Sequence, residues 1–206
     1  MAERESGRLL TGVVLADDAY LGGVYVAKQG RGSENKVPFM AAVELNDQGH
    51  PQHVRFDPLP NLKGSTLAGW ARTALHEAVH LVTDGWASFS AAGAVVAAHG
   101  AIIVSPRQSS DLEVFEWVNT FIANLKTAIR GTYHHFDFEK YAARYLDEAQ
   151  YRVNRRFELR SLVERLLWTS ARTEPCPESW LRLGLVRTSR GRALIGLYDI
   201  RGADYP

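Results

Sequence analysis

The chain's 206 residues, 46% of them hydrophobic with a formal net charge of +1, suit one domain that buries its own core and are too few for two full ones. No run approaches the roughly 18 apolar residues of a membrane span, and the charged start MAERESGRLLTG lacks the apolar stretch of a secretory leader, so a cytoplasmic location is expected. The single cysteine, Cys176, excludes an internal disulfide and a cysteine-cluster zinc site.

Taken in chain order, GVVLADDAYLGG runs apolar up to Asp17 and Asp18 and then meets Gly22 and Gly23, which predicts a buried strand with the acidic pair at its end. After a glycine-broken polar stretch from Lys28 to Lys36, VPFMAAVEL predicts a second strand closed by the turn Asn46, Asp47, Gln48, Gly49, and QHVRFDPL predicts a third. From Gly64 to Glu77 the apolar residues of LAGWARTALHEA recur at helical spacing, and VHLVTDG then predicts a short strand stopped by Asp84 and Gly85. WASFSAAGAVVAAHG predicts an alanine-rich helix finished by Gly100, and AIIVSP a fifth strand stopped by Pro106. Beyond Asp111, DLEVFEWVNTFIANLKTAIRG predicts a helix ending at Gly131, and FEKYAARYLDEAQYRVNRRFELRSLVERLLW predicts one long helix or two shorter ones. The tail from Thr173 carries a candidate hairpin in ALIGLYDI.

Three strands joined by turns, then two reached through helices, make an α/β chain with a mixed five-stranded sheet flanked by helices and a helical C-terminal half. The strands that carry Asp17 and Asp84 are expected to be neighbours, bringing both carboxylates to a place where a ligand or metal is reachable from solvent.

Charge is divided unevenly along the chain. Residues 1–118 hold 9 Lys and Arg against 13 Asp and Glu, and residues 119–206 hold 15 against 10. An acidic half that collects carboxylates for a cation, beside a basic half that meets phosphates, suits a nucleic-acid enzyme, although a basic half is also what a solvated helical face looks like. Hard divalent ions take oxygen ligands and are held by one or two carboxylates plus the phosphate being cut. Asp17 and Asp84 meet that requirement; taken singly, each is also explained as a residue that ends a strand and caps the turn or helix after it. His76, Glu77 and His80 spell a second motif, His-Glu-Ala-Val-His. On a continuous helix it would present two zinc ligands and a general base, the arrangement of a zinc metallopeptidase.

The strings DDAYLGG, TDGWASF, NTFIANLKTAIRGTYHH and YLDEAQYRVNRR, in this order over roughly residues 10–160, resemble the catalytic domain of bacterial insertion-sequence transposases of the ISXO-like type, within the broad DDE group. The resemblance implies a ribonuclease-H-like fold. It places the family's first catalytic Asp on Asp17, with Asp18 where the family usually has Glu, and the second, in a Thr-Asp-Gly turn, on Asp84. The third position, Glu in many DDE enzymes and Asn in a subgroup, stands seven residues before a Lys, which puts it on Asn119 ahead of Lys126, with 34 residues between Asp84 and Asn119. Glu148, Arg152 and Arg155 repeat the family's Glu, Arg at plus four and Arg at plus seven, expected on one helix face with Glu148 supporting Arg152. His134 and His135 match a further family motif of open role.

What the resemblance implies is two-metal-ion phosphoryl transfer. Two Mg2+ (or Mn2+) ions held by Asp17, Asp84 and Asn119 would serve strand cleavage at the insertion-sequence ends and then strand transfer into target DNA. Lys126, Arg152 and Arg155 would bind the DNA backbone without reading its sequence. Transposases work as multimers on paired DNA ends, so a homo-oligomer in the DNA complex is implied, and no membrane partner. Residues 1–172 are read as the catalytic domain and 173–206 as a C-terminal extension. Relatives usually carry an N-terminal zinc ribbon and DNA-binding module, and this chain starts almost at the first catalytic strand. An inactive or domesticated fragment that at most binds DNA therefore stands as an alternative, beside the zinc metallopeptidase.

Overall fold

The computed structural model describes residues 7–22, 36–102, 113–133, 137–173, 175, 177–182, 186–188 and 191–193. β1 (Val13–Leu21), β2 (Val37–Leu45) and β3 (Pro51–Pro58) form an antiparallel meander. β4 (His80–Asp84) and β5 (Ala98–Ile102) add to the other side of β1 by parallel pairing, completing a five-stranded sheet in the order β3-β2-β1-β4-β5. The mixed α/β sheet is the one the strand pattern predicts. The β2–β3 turn closes because Gly49 adopts φ 79°, which strains any residue with a Cβ, and because the Asn46 side chain accepts the backbone N–H groups of Gln48 and His50 at 3.0 and 2.9 Å.

Side-chain alternation along the strands makes two cores. Val14, Ala16, Met40, Ala42 and Leu81 point to one face, against Leu67, Trp70, Ala71 and Ala74 of α1 (Gly64–Ala74). Phe39, Ala41, Val43, Val54 and Phe56 point to the other, against α3 (Glu116–Thr132) and α4 (Phe138–Asn154). On α3 the buried residues Val118, Ile122, Leu125 and Ile129 recur at the three- and four-residue steps of one helical face. Phe39 and Phe56 meet edge to face, their centroids 6.3 Å apart, a geometry that adds about 1 kcal/mol to their burial. A long α4 is started by Asp137, whose side chain accepts the Lys140 N–H at 3.0 Å. Past it come α5 (Leu162–Arg172), α6 (Glu178–Arg182) and a hairpin of β6 (Val186–Thr188) with β7 (Gly191–Ala193). The second half is thus mainly helical. Among the described residues, no helix is long and apolar enough to cross a membrane.

The outer edge of β3 is closed by side chains. Asn154 accepts the Val54 N–H at 2.8 Å and donates to the Val54 carbonyl at 3.0 Å, while Gln150, one helical turn earlier, accepts the Phe56 N–H at 2.9 Å. Two amides on α4 do for β3 what a further strand would do.

Three sequence expectations need correction. First, the acidic pair is not at the end of β1. The strand runs on to Leu21, because Ala19, Tyr20 and Leu21 continue the pairing with Phe39, Pro38 and Val37. Second, α1 stops at Ala74 and not at Glu77. Leu75 leaves the helix to bridge Leu10, and His76 donates to the Leu10 carbonyl at 2.9 Å. Third, the alanine-rich segment is a single 3-10 turn (Ala87–Phe89) and the short helix α2 (Ser90–Gly93), and the fifth strand begins at Ala98, so Gly100 lies inside it. Gly93 explains the break, since a Cβ there would stand 2.2 Å from Nδ1 of His99 on β5. The candidate hairpin ALIGLYDI, apart from Ala193 at the end of β7, lies outside the described residues, as do Gly23, His134, His135 and Cys176. The second long helical segment resolves into two helices, α4 and α5.

Near the opposite end of the sheet, Glu44 on β2 is buried and accepts the Thr11 N–H at 3.0 Å and a bond from the cross-strand His53 ring at 3.2 Å. Burial pushes its carboxyl up, but the bonds from His53 and Thr11 and the charges of His53 and Arg8 outweigh it and hold it below the ordinary 4.5. The stabilisation is present above the unfolded carboxyl's value and is lost as pH falls through the lower folded value. Denaturation midpoints measured from pH 6 down to pH 3 should therefore fall more steeply for the wild type than for Glu44→Gln.

Candidate active site

β1 and β4 run parallel in register from Val13↔His80 to Ala16↔Thr83. The next residue on each strand is Asp17 and Asp84. Neighbouring strands lie about 4.8 Å apart, so these two carboxylates rise side by side from the sheet. Both fall on the α3 face: Asp17 alternates with Ala19 and Leu21, and Asp84 with Val82, all of which pack on that side. Asp18 falls on the opposite face, with Tyr20. Asp84 is the last residue of β4, whereas β1 continues beyond this level with β2.

Each carboxylate is held by backbone. Asp17 Oδ1 accepts the Asp18 N–H at 2.8 Å, and Asp84 Oδ1 accepts the Trp86 N–H at 3.2 Å. Thr83, fully buried beside Asp84, donates its hydroxyl to the Asp84 carbonyl at 2.9 Å and also meets His99 Nε2 at 2.9 Å. Burial, and to a lesser degree the charge of His80, hold the His99 imidazole below its ordinary pKa, so at neutral pH it is a neutral support for the turn after β4.

An open cleft of about 910 Å³ lies between the far half of β1 and α3. Asp17, Asp18, Asn119 and Lys126 line it, together with Lys36 and Arg130. The structure thus brings Asp17, Asn119 and Lys126 to one site; the seven-residue spacing of Asn119 and Lys126 puts both on the cleft side of α3, as expected. Lys126 is exposed as a residue, yet desolvation by the cleft walls holds its ammonium below the usual lysine value; the charge of Asp17 opposes this and that of Lys36 adds to it. Asp84 is beside the cleft by strand register and does not line it.

Glu148 and Arg152 lie elsewhere. They line a smaller cavity of about 190 Å³ between α3 and α4, with an ion pair of 3.1 Å between them. The Arg152 side chain is 71% exposed, so that pair contributes at most a few tenths of a kcal/mol. Glu148 reaches Tyr133, whose hydroxyl is pushed above its ordinary pKa by burial and then by the charge of Glu148. Arg155, the residue just after α4, does not line that cavity; its guanidinium lies 3.8 Å from the Tyr151 ring centroid.

The His-Glu-Ala-Val-His motif loses the geometry a zinc site needs. His76 and Glu77 are in the turn after α1, and His80 opens β4, so the two histidines share no helical face. Among the described residues no three His, Cys, Asp or Glu side chains gather as a metal set. The arrangement at the end of β4 is two carboxylates and an amide, Asn119, which adds an oxygen without a charge.

Lys36 and Arg130 were not singled out in the sequence. Arg130 was within reach, one turn past Lys126 on the same face. Nothing local marks Lys36, which enters the cleft only because β2 pairs with the far end of β1.

Comparison with curated proteins gives no match. Residues 9–154, well over half of the chain and the part that carries the whole sheet, α3 and α4, match the ISXO2-like transposase domain, and the chain belongs to this family of DDE-type transposases.

Proposed function

We propose that this chain is a transposase catalytic domain that cleaves DNA strands at insertion-sequence ends and joins them to target DNA, using Asp17, Asp84 and Asn119 with two Mg2+ or Mn2+ ions. The observation that carries the proposal is the register of β1 and β4, which makes Asp17 and Asp84 side-by-side neighbours at the end of β4, with Asn119 facing Asp17 across the cleft. The donor set is all oxygen, with two carboxylates and no thiol or imidazole, which fits a hard divalent cation completed by phosphate oxygens. When bound, such ions supply Lewis acidity to a phosphodiester and to the oxygen that attacks it.

The chain's own residues do the positioning. Asp17 and Asp84 concentrate negative charge that repels DNA in the absence of a cation, and Asn119 offers a neutral oxygen on the opposite wall. Lys126 gives the backbone phosphate a cation beside Asp17. Desolvation by the cleft walls lowers its pKa and leaves its ammonium a thinner hydration shell to displace. Arg152 and Arg155, outside the cleft, would hold flanking duplex through phosphates, a contact that weakens steeply with salt. Residues 1–172 would form the catalytic domain, with 173–206 as an extension to it.

The test is strand nicking and joining on a duplex carrying an insertion-sequence end, with Mg2+ or Mn2+ and with chelator. Metal-dependent nicking followed by joining is the expected result. A folded protein inactive with either metal would favour the alternative reading, an inactive or domesticated domain that binds DNA without cutting it.

A further inference from the structure

The two aspartates are not held equally. Asp17 lies inside β1, its backbone fixed by the pairing with Ala41 of β2, which continues to Leu21. Asp84 is the last residue of β4, paired with Ile102 and followed at once by Gly85, so the peptide between them is where the chain leaves the sheet with the most freedom to turn. A carboxylate that must stand within about 0.5 Å of its place needs that turn fixed. What fixes it is a relay that starts on β5. The buried Thr83 hydroxyl meets both the Asp84 carbonyl and His99 Nε2, each at 2.9 Å. A hydroxyl has one proton and a carbonyl can only accept, so the Thr83 proton goes to Asp84 and His99 donates from Nε2. The ring is held in turn by α2. A Cβ on Gly93 would stand 2.2 Å from His99 Nδ1 and 2.8 Å from His99 Cβ, so glycine there leaves the ring its place. On the side chain, Asp84 Oδ1 accepts the Trp86 N–H at 3.2 Å, and the direction of that N–H is set by the same turn.

We propose that Thr83 and His99 are positioning residues for Asp84. His99, seated in the slot that Gly93 leaves, donates from Nε2 to the Thr83 hydroxyl, which holds the Asp84–Gly85 peptide and with it the direction of the carboxylate. Neither residue has to touch a cation or DNA to do so. Groups that orient metal ligands commonly change metal affinity by about 10- to 100-fold. Acting through a peptide plane and not on a ligand atom, this relay belongs at the lower end of that range. The effect on metal rests on the reading of Asp84 as a cation ligand, whereas the positioning does not, so the two can fail separately.

The experiment takes two readouts on the full chain. Without metal, amide hydrogen exchange followed by NMR reports on the Trp86 N–H that Asp84 accepts, with the amides of β2 as the control for global opening. With Mn2+ and DNA, electron paramagnetic resonance gives the cation affinity. Thr83→Val and His99→Leu remove the relay, and Gly93→Ala displaces the His99 ring without touching Asp84. His99→Gln keeps a donor, since its amide nitrogen reaches about where Nε2 stands. In the first three variants Trp86 exchange should be about fivefold faster or more, with the β2 amides unchanged. Mn2+ binding in the same three should be about tenfold weaker. His99→Gln should stay near the wild type in both readouts. Thr83→Val/His99→Leu should be no worse than Thr83→Val alone, because both break one relay. Wild-type Trp86 exchange in folded Thr83→Val or His99→Leu, or equal damage in His99→Gln and His99→Leu, overturns the positioning. If Thr83→Val does not fold, His99→Leu against His99→Gln decides alone. Faster Trp86 exchange in the variants of a chain that binds no Mn2+ would keep the relay and sink Asp84 as a cation ligand. Mn2+ binding and Trp86 exchange that no variant alters would keep the metal site and sink the relay.

Discussion

Converting Asp17 or Asp84 to Asn should cut metal-dependent strand nicking by about a thousandfold or more while leaving the fold intact. Asn keeps the size of each side chain and an oxygen able to accept the bonds the structure shows, from the Asp18 N–H to Asp17 and from the Trp86 N–H to Asp84. What is removed is one negative charge where two carboxylates would share the cations. Losing about 4 kcal/mol of transition-state stabilisation, a reasonable share of what a metal centre supplies, corresponds to roughly a factor of a thousand in rate. Asn119→Ala should cost less, about ten- to a hundredfold, since it withdraws a neutral ligand. Gel assays of nicked product, read beside circular dichroism, check the order. Wild-type nicking by a folded Asp84→Asn protein would remove Asp84 from the mechanism.

The double substitution Gln150→Leu/Asn154→Leu should lower unfolding stability by about 3–6 kcal/mol, read from urea midpoints. These amides satisfy the N–H of Val54, the carbonyl of Val54 and the N–H of Phe56 along the edge of β3. Leucine is close in volume but offers no partner, and each backbone group left buried and unsatisfied costs about 1–3 kcal/mol. Against a typical total of about 5–15 kcal/mol, that is a large share. The uncovered edge would also template association between chains, so the variant should aggregate at concentrations the wild type tolerates. A loss below about 1 kcal/mol would mean that water replaces the amides and that α4 is held to the sheet by its apolar contacts alone.

The sequence patterns carry the sheet and the long helices because period and burial agree there. Val37 to Leu45 alternates between the two cores at the strand period, and the Val118, Ile122, Leu125, Ile129 series meets one core at the helical period. Legibility fails where tertiary contacts override local preference. The alanines after Trp86 favour a helix, but the contact of Gly93 with His99 and the pairing of Ala98 with His80 impose a strand. Asp17 looks like a terminus from its charge, whereas the pairing of Ala19 to Leu21 with β2 carries β1 past it. For the candidate site, the meeting of Asp17, Asn119 and Lys126 at one cleft was legible from motif and spacing, and the neighbouring register of Asp17 and Asp84 follows from the topology. Glu148 and Arg152 line the small cavity between α3 and α4 and Arg155, just past α4, does not, a difference that their spacing does not record. The amide cover of β3 links residues about a hundred positions apart, which no local pattern records.

The central claim, that Asp17 and Asp84 hold the catalytic cations together, is tested most directly by titrating Mn2+ and following its electron paramagnetic resonance signal. The wild type, Asp17→Asn and Asp84→Asn would be compared, each with and without DNA bearing an insertion-sequence end. Mn2+ binding that tightens with DNA and weakens at least tenfold in both variants is the predicted result. Unchanged binding in Asp84→Asn, the residue beside the cleft and not in its wall, would contradict the account.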